Sequence, residues 1–132
     1  MENQIPKPLI DGDSKPFWDG INRHELWIQL CESCGKHIFY PRAICPHCFS
    51  ESIKWVQSKG IGKIYSYTVV HRAFGSFHNQ TPFVIAIVEL DEGVRMMTRI
   101  LGERSKVHID ETVKVVFEQA GDELTLPYFE LI

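Results

Sequence analysis

Four cysteines gathered into two CxxC pairs within residues 31–48, and five runs of β character separated by turn residues after residue 59, predict a mainly β protein. The expected architecture is a short N-terminal helix and a zinc ribbon, followed by a five-stranded Greek-key barrel of the OB type. A third observation sets the scale. A chain of 132 residues with 44% hydrophobic content holds enough apolar material for one modest core.

Residues 1–13 are rich in Pro, Asp and Gly, show little periodicity, and read as an extended or disordered arm. A short helix is expected over residues 14–24, with Ser14 as cap and Pro16 in the first turn. Phe17, Trp18 and Ile21 then fall on one side at helical spacing. The Phe17–Trp18 pair has two readings. It packs on the protein's own ribbon or barrel, or it docks on a partner, because a short amphipathic helix cannot bury its aromatic face alone.

The ribbon is expected over residues 25–58, where ELWIQL and HIFY are two short strands feeding two knuckles. In a CxxC turn both sulfurs converge on one metal, and a glycine after the second cysteine relieves the positive φ there. CESCG has that glycine at Gly35, while CPHC has Pro46 to preorganise the turn before Cys48. Cys31, Cys34, Cys45 and Cys48 thus form an S4 set for one Zn2+. Four thiolates leave no position for a catalytic water, so the metal is structural. Iron of rubredoxin type satisfies the same spacing, and a CxxC redox pair is the remaining alternative. So small a unit has almost no apolar core, and metal binding, on the order of ten kcal/mol for such sites, supplies much of its folding free energy.

The barrel is expected over residues 59–132. KIYSYTVV, PFVIAIVEL, VRMMTRIL, TVKVVFEQ and ELTLPYF are its five strands, with DEG as a tight hairpin between the second and third. Val113, Val115 and Phe117 alternate with Lys114 and Glu118, giving one buried and one wet face. PFVIAIVEL is nearly continuous in apolar residues, which suits a central strand covered on both faces.

A formal charge of −3, from 17 acidic and 14 basic residues without like-charge runs, gives no footprint for generic polyanion binding. OB barrels often bind single-stranded nucleic acid, and Tyr65 and Tyr67 on one strand face, with Arg95 and Arg99, offer stacking and cationic groups for it. The acidic composition and pI near 6.0 weigh against that alternative. No signal-peptide pattern and no membrane-length apolar run is seen, so a cytoplasmic protein is expected, with cysteines held as thiolates.

The order PFW, LCESCGKHIFYPRAICPHC, GIGKIYSYTVVH and PFVIAIVELDEGVR resembles a family of small proteins that pair a rubredoxin-like zinc ribbon with an OB fold. Its members were long catalogued as a domain of unknown function. The resemblance runs from about Lys15 to the C-terminus and leaves out only the arm. It implies an accessory subunit that binds a thiolase-like or related acyl-CoA enzyme, in a hetero-oligomer such as α2β2, and helps form an acyl-CoA site or channel.

Independent catalysis has no visible apparatus: all four cysteines are committed to metal, and no GxSxG elbow occurs. The loop RAFGSFHNQT is too apolar for a simple solvated connection. Phe74 and Phe77, with His78, either cap the barrel mouth or wall a partner's substrate tunnel. Arg42, after Pro41 on a metal-rigidified turn, either pairs with a CoA phosphate or partner carboxylate, or is solvated.

Overall fold

The computed structural model describes residues 9–121 and 124–132. The arm expected over 1–13 falls largely outside the described residues. Helix α1 (Lys15–Asn22) is entered one turn earlier than a Ser14 cap supposes. Ser14 N–H donates to Asp11 Oδ1 at 2.9 Å and Asp11 N–H donates to Ser14 Oγ at 3.1 Å, so the two residues cap one another and Asp11 leads. The helix ends in a Schellman arrangement. Glu25 N–H reaches Gly20 O at 2.8 Å and His24 N–H reaches Ile21 O at 2.9 Å, with His24 at φ 62°.

The ribbon holds three strands where two were expected. β1 (Trp27–Cys31) is flanked by β2 (His37–Ile38) and β3 (Ile53–Gln57), both antiparallel to it. The third strand takes in Ile53–Trp55 of the SIKW stretch, where polar and apolar residues alternate, but Val56 breaks the period after four residues, at the lower limit of a strand signal. Pairing along all of β1, from Trp27 opposite Gln57 to Cys31 opposite Ile53, holds it in place.

Five further strands close a barrel: β4 (Ile61–Val70), β5 (Phe83–Leu90), β6 (Arg95–Leu101), β7 (Thr112–Gly121) and β8 (Leu124–Leu131). Their order β4-β5-β6-β8-β7, with β7 returning to β4 and β6 parallel to β8, is the expected OB topology. The DEG hairpin is present, with Leu90 N–H donating to Val94 O at 2.8 Å and Gly93 at φ 96°. Val84, Ala86, Val88 and Leu90 of β5 point into the barrel and are buried. On the other face Ile85 and Ile87 are only half-buried, so β5 is not covered on both sides as its composition suggested. A bulge between Ile64 and Ser66 also breaks the alternation of β4. Tyr67, opposite inward-facing Ala86, takes the inner parity, while Tyr65 meets outward Arg95, so the tyrosines do not share a face.

One apolar core joins all three parts. Phe17 and Ile21 of α1, with Leu26 and Ile28, pack with Ile64, Val88, Val113 and Phe129 of the barrel. The ribbon's outer half has only a small cluster of Cys31, Cys45 and Ile38, with Ile53 against it. Where ribbon passes into barrel, Glu92 at the DEG tip binds the connecting backbone. Its carboxylate accepts from Ser58 Oγ at 2.9 Å and from Lys59 N–H at 3.0 Å.

Candidate metal centre and apolar groove

The two knuckles superimpose in their bonding: Gly35 N–H donates to Cys31 O, and Phe49 N–H donates to Cys45 O, each at 2.9 Å. Both fifth residues are left-handed, Gly35 at φ 76° and Phe49 at φ 65°. Glycine carries this conformation without strain, whereas phenylalanine does so at a cost of about 1–2 kcal/mol. The four Sγ atoms lie within 4.8 Å of one another. Cys31 to Cys48 is 3.6 Å and Cys34 to Cys45 is 3.7 Å. A tetrahedron with Zn–S bonds of about 2.3 Å has edges of about 3.8 Å, so the donor set fits one zinc.

Without metal, the backbone N–H of Cys34 is the main influence that draws the Cys31 thiol down to about 6. At Cys48 the Ser50 N–H favours thiolate, but loss of hydration and the neighbouring thiols outweigh it and push the group up to about 12. Divalent charge removes this competition by holding all four as thiolates. The zinc is structural, since four sulfurs complete its sphere. His47, between the ligands, contributes its backbone N–H to Cys45 Sγ at 3.3 Å.

The ribbon's rigidity extends to the segment before the second knuckle. Buried Gln29 donates to Arg42 O at 2.9 Å and accepts from Arg42 N–H at 2.8 Å. This bidentate clamp fixes the backbone that carries Phe39 and Tyr40 over helix α1. There Phe17 meets Trp18, Phe39 and Tyr40 edge-on at 5.0, 5.6 and 5.8 Å, and Trp18 Nε1–H donates to Tyr40 Oη at 3.0 Å.

Opposite this aromatic wall lies the outer face of the barrel, and between them is a groove of about 760 Å³. The barrel side is formed by Phe83 and Ile85 of β5, Met97 and Arg99 of β6, and Pro127 and Tyr128 of β8. Thr98 donates its hydroxyl to Pro127 O at 3.0 Å, tying β6 to β8 beneath it. Among the described residues, Arg99 is the one charged group in the lining. Its guanidinium stands over the Phe83 ring at 4.6 Å and 5.9 Å from the Tyr128 centroid, and Nη1 donates to Gln80. Burial raises the Tyr128 hydroxyl above its ordinary pKa, with Arg99 acting in the opposite direction.

The residues singled out in the sequence separate. Phe77, in a 3-10 turn over Gly75–Gln80, lines the groove and lies 5.9 Å from Phe83. Phe74 is 94% exposed, His78 is exposed and bonded to Asn79, and Arg42 folds its Nε back to Tyr40 O at 3.3 Å. None of these three lines the groove. Both members of the Phe17–Trp18 pair line the groove, Phe17 from a buried position at 1% exposure and Trp18 half-buried beside it. Arg95 is held by Tyr65, 3.8 Å from its ring, and by Glu89. The sequence reading missed the groove itself. Its signal was the apolar outer face of PFVIAIVEL, which a covered strand explains equally well.

Fold and site define a zinc-ribbon/OB-fold protein with a structural metal and a groove between its two parts. Two family models match, described as "ChsH2, rubredoxin-like zinc ribbon domain" over residues 18–53 and "ChsH2, C-terminal OB-fold domain" over residues 55–118. The chain belongs to this family, known also as DUF35. A "DUF35 domain-containing scaffold protein" of Methanocaldococcus jannaschii is 38% identical over 74% of this chain and 73% of its own length. A "Probable enoyl-CoA hydratase alpha subunit" of Thermomonospora curvata is 36% identical over 94% of this chain, which spans only 39% of that protein. The subunit BbsA of benzoylsuccinyl-CoA thiolase from Geobacter metallireducens is 29% identical over 64% of this chain and 56% of its own. Among solved structures, an "Ltp2-ChsH2(DUF35) aldolase" chain superimposes with TM-score 0.85 at 34% identity, covering 95% of this chain and 98% of that one. Among the described residues, no helix is long and apolar enough to cross a membrane.

Proposed function

We propose that the chain is a non-catalytic accessory subunit that binds a thiolase-superfamily enzyme, or a related enzyme forming or cleaving carbon–carbon bonds in acyl-CoA, and helps form its acyl-CoA site. The observation that carries this reading is the pairing of an apolar groove with a chain whose every cysteine faces the metal centre. Such a surface binds and positions, and it supplies no thiol nucleophile of the kind thiolysis needs. The names of the relatives support the same direction, since two are subunits of enzymes named for CoA thioesters and one is a scaffold protein.

In this reading the ribbon and the 3-10 turn reach the partner. Phe74, exposed on the turn, and Trp18 at the groove rim contact it, while Phe77 shapes the substrate channel and Arg42 and His78 sit within reach of CoA or of partner carboxylates. The assembly is a hetero-oligomer such as α2β2. The test is co-expression with a candidate thiolase-fold subunit from the same organism. A stable complex that turns over an acyl-CoA, with neither subunit active alone, supports the proposal. Turnover by this chain alone, or no association at micromolar concentrations, overturns it.

A further inference from the structure

We propose that two copies of this chain associate through the free edge of β4, residues 65–70 of one copy pairing antiparallel with the same residues of the other about a twofold axis. The pairing of β4 with β7 runs only from Ile61 to Lys63. Ile64 then exchanges backbone bonds with the chain just before β7, donating to Glu111 O at 3.0 Å and accepting from Asp110 N–H at 2.8 Å. From Tyr65 to Val70 the strand runs beside β5, and no strand among the described residues takes its other edge. Tyr65, Ser66, Tyr67 and Thr68 are all exposed, so this stretch is open on both faces of the sheet. Tyr67 has the inward parity and is still 39% exposed, as expected where the strand has no neighbour on that side.

The backbone of an edge strand offers donors and acceptors at a spacing that another extended chain matches. Proteins ordinarily blunt such an edge with lysine, proline or a bulge along its length. Here the edge YSYTVV has no charge and no proline, and the bulge between Ile64 and Ser66 lies at its start. Charge at the two ends selects a second copy as the occupant. Arg72 follows the edge at its far end, Asp110 and Glu111 close it at the near end, and all three are exposed. Among the described residues none of the three takes part in an ion pair. Lys63, the cation nearest the acidic end, stands opposite Glu89 of β5. Antiparallel self-pairing brings the far end of each edge to the near end of the other, so Arg72 of each copy meets Asp110 and Glu111 of the second. Residues 65–70 carry no charge, and no like pair stands opposite along the seam. An edge this short makes a small interface at the weak end of specific association, and a micromolar dissociation constant is expected.

The experiment uses the zinc-loaded full chain, with sedimentation velocity across the micromolar range and amide hydrogen exchange read over β4. A reversible dimer is expected, and residues 65–70 should gain protection as its population rises. Thr68→Lys sets two like charges against each other near the centre of the seam and should raise the dissociation constant about tenfold or more. Arg72→Glu should weaken the dimer to a similar degree, and Arg72→Glu combined with Glu111→Arg should bring the constant back to within about threefold of the original. Thr68, Arg72 and Glu111 are exposed, and unchanged thermal unfolding of the dilute protein verifies that the variants fold. A chain that stays monomeric across the range, a dimer indifferent to Thr68→Lys, or a combined variant as weak as Arg72→Glu alone overturns the proposal. Protection of residues 65–70 that arises only when the thiolase-fold subunit is added overturns it in favour of an extended segment of that enzyme. The self-association is measured without any partner, so it and the accessory role can fail separately.

Discussion

Removing the Glu92 carboxylate tests how the two parts of the molecule are held in register. Glu92 sits at the tip of the β5–β6 hairpin and accepts from both Ser58 Oγ and Lys59 N–H in the ribbon-to-barrel connection. In Glu92→Ala the two donors differ in consequence. Lys59 is exposed, so water replaces the lost acceptor and little changes; Ser58 is 7% exposed, and its hydroxyl is left without one. A buried unsatisfied hydroxyl costs about 1–3 kcal/mol, and partial solvent access at this edge places the expected loss near the lower half, ~1.5 kcal/mol. With an unfolding entropy of about 2.1 cal/mol/K per residue, this lowers Tm by about 5 °C for a chain of 132 residues. Glu92→Gln keeps an acceptor oxygen for Ser58 and should lose less than half as much. The assay is thermal and urea unfolding of the zinc-loaded protein, with Ser58→Ala completing a double-mutant cycle whose coupling should be about 1 kcal/mol. A coupling within about 0.3 kcal/mol of zero would refute the staple.

Cys45→Ser should abolish binding of the single zinc and unfold the ribbon while the barrel strands persist, seen as loss of metal by elemental analysis with β-sheet circular dichroism retained; a nitrogen or water ligand in X-ray absorption would contradict the closed S4 site. Gly35→Ala places a side chain at φ 76° with open space around it, so the cost is conformational alone, about 1 kcal/mol by urea denaturation. Phe49→Gly, at the matching position of the other knuckle, should be near neutral, because relief of the left-handed strain offsets the added freedom of the unfolded chain. In the complex with the thiolase-fold partner, Phe77→Ala should lower turnover more than Phe74→Ala, since only Phe77 lines the groove, and neither should shift the barrel's Tm by more than a few degrees.

The metal centre was legible because its chemistry is local: two CxxC turns carry both the ligands and the spacing. The barrel was legible because Val113, Val115 and Phe117 alternate with charges and the DEG turn announces a hairpin. Strand β3 was not, since its polar–apolar alternation is cut short at Val56. The Asp11–Ser14 reciprocal cap was missed because Ser14 alone satisfies the usual helix-start rule. The bulge at Ile64–Ser66 leaves no composition mark, yet it alone decides that Tyr65 and Tyr67 part company. The groove depends on residues 22 or more apart, such as Trp18 with Tyr40, and on Arg99 reaching Phe83 and Tyr128 from a third strand. No single-sequence pattern encodes contacts of that range.

The central claim is that this chain completes an acyl-CoA site without performing chemistry itself. The most direct measurement is a single-turnover assay of carbon–carbon bond formation or cleavage on an acyl-CoA, run with this chain alone, with the purified thiolase-fold partner alone, and with both at equimolar concentration. The account predicts no product from the chain alone, little from the partner alone, and full turnover from the mixture, with elution of both as one species. Product formation by the chain alone, or a partner whose rate is unchanged by its addition, would contradict it.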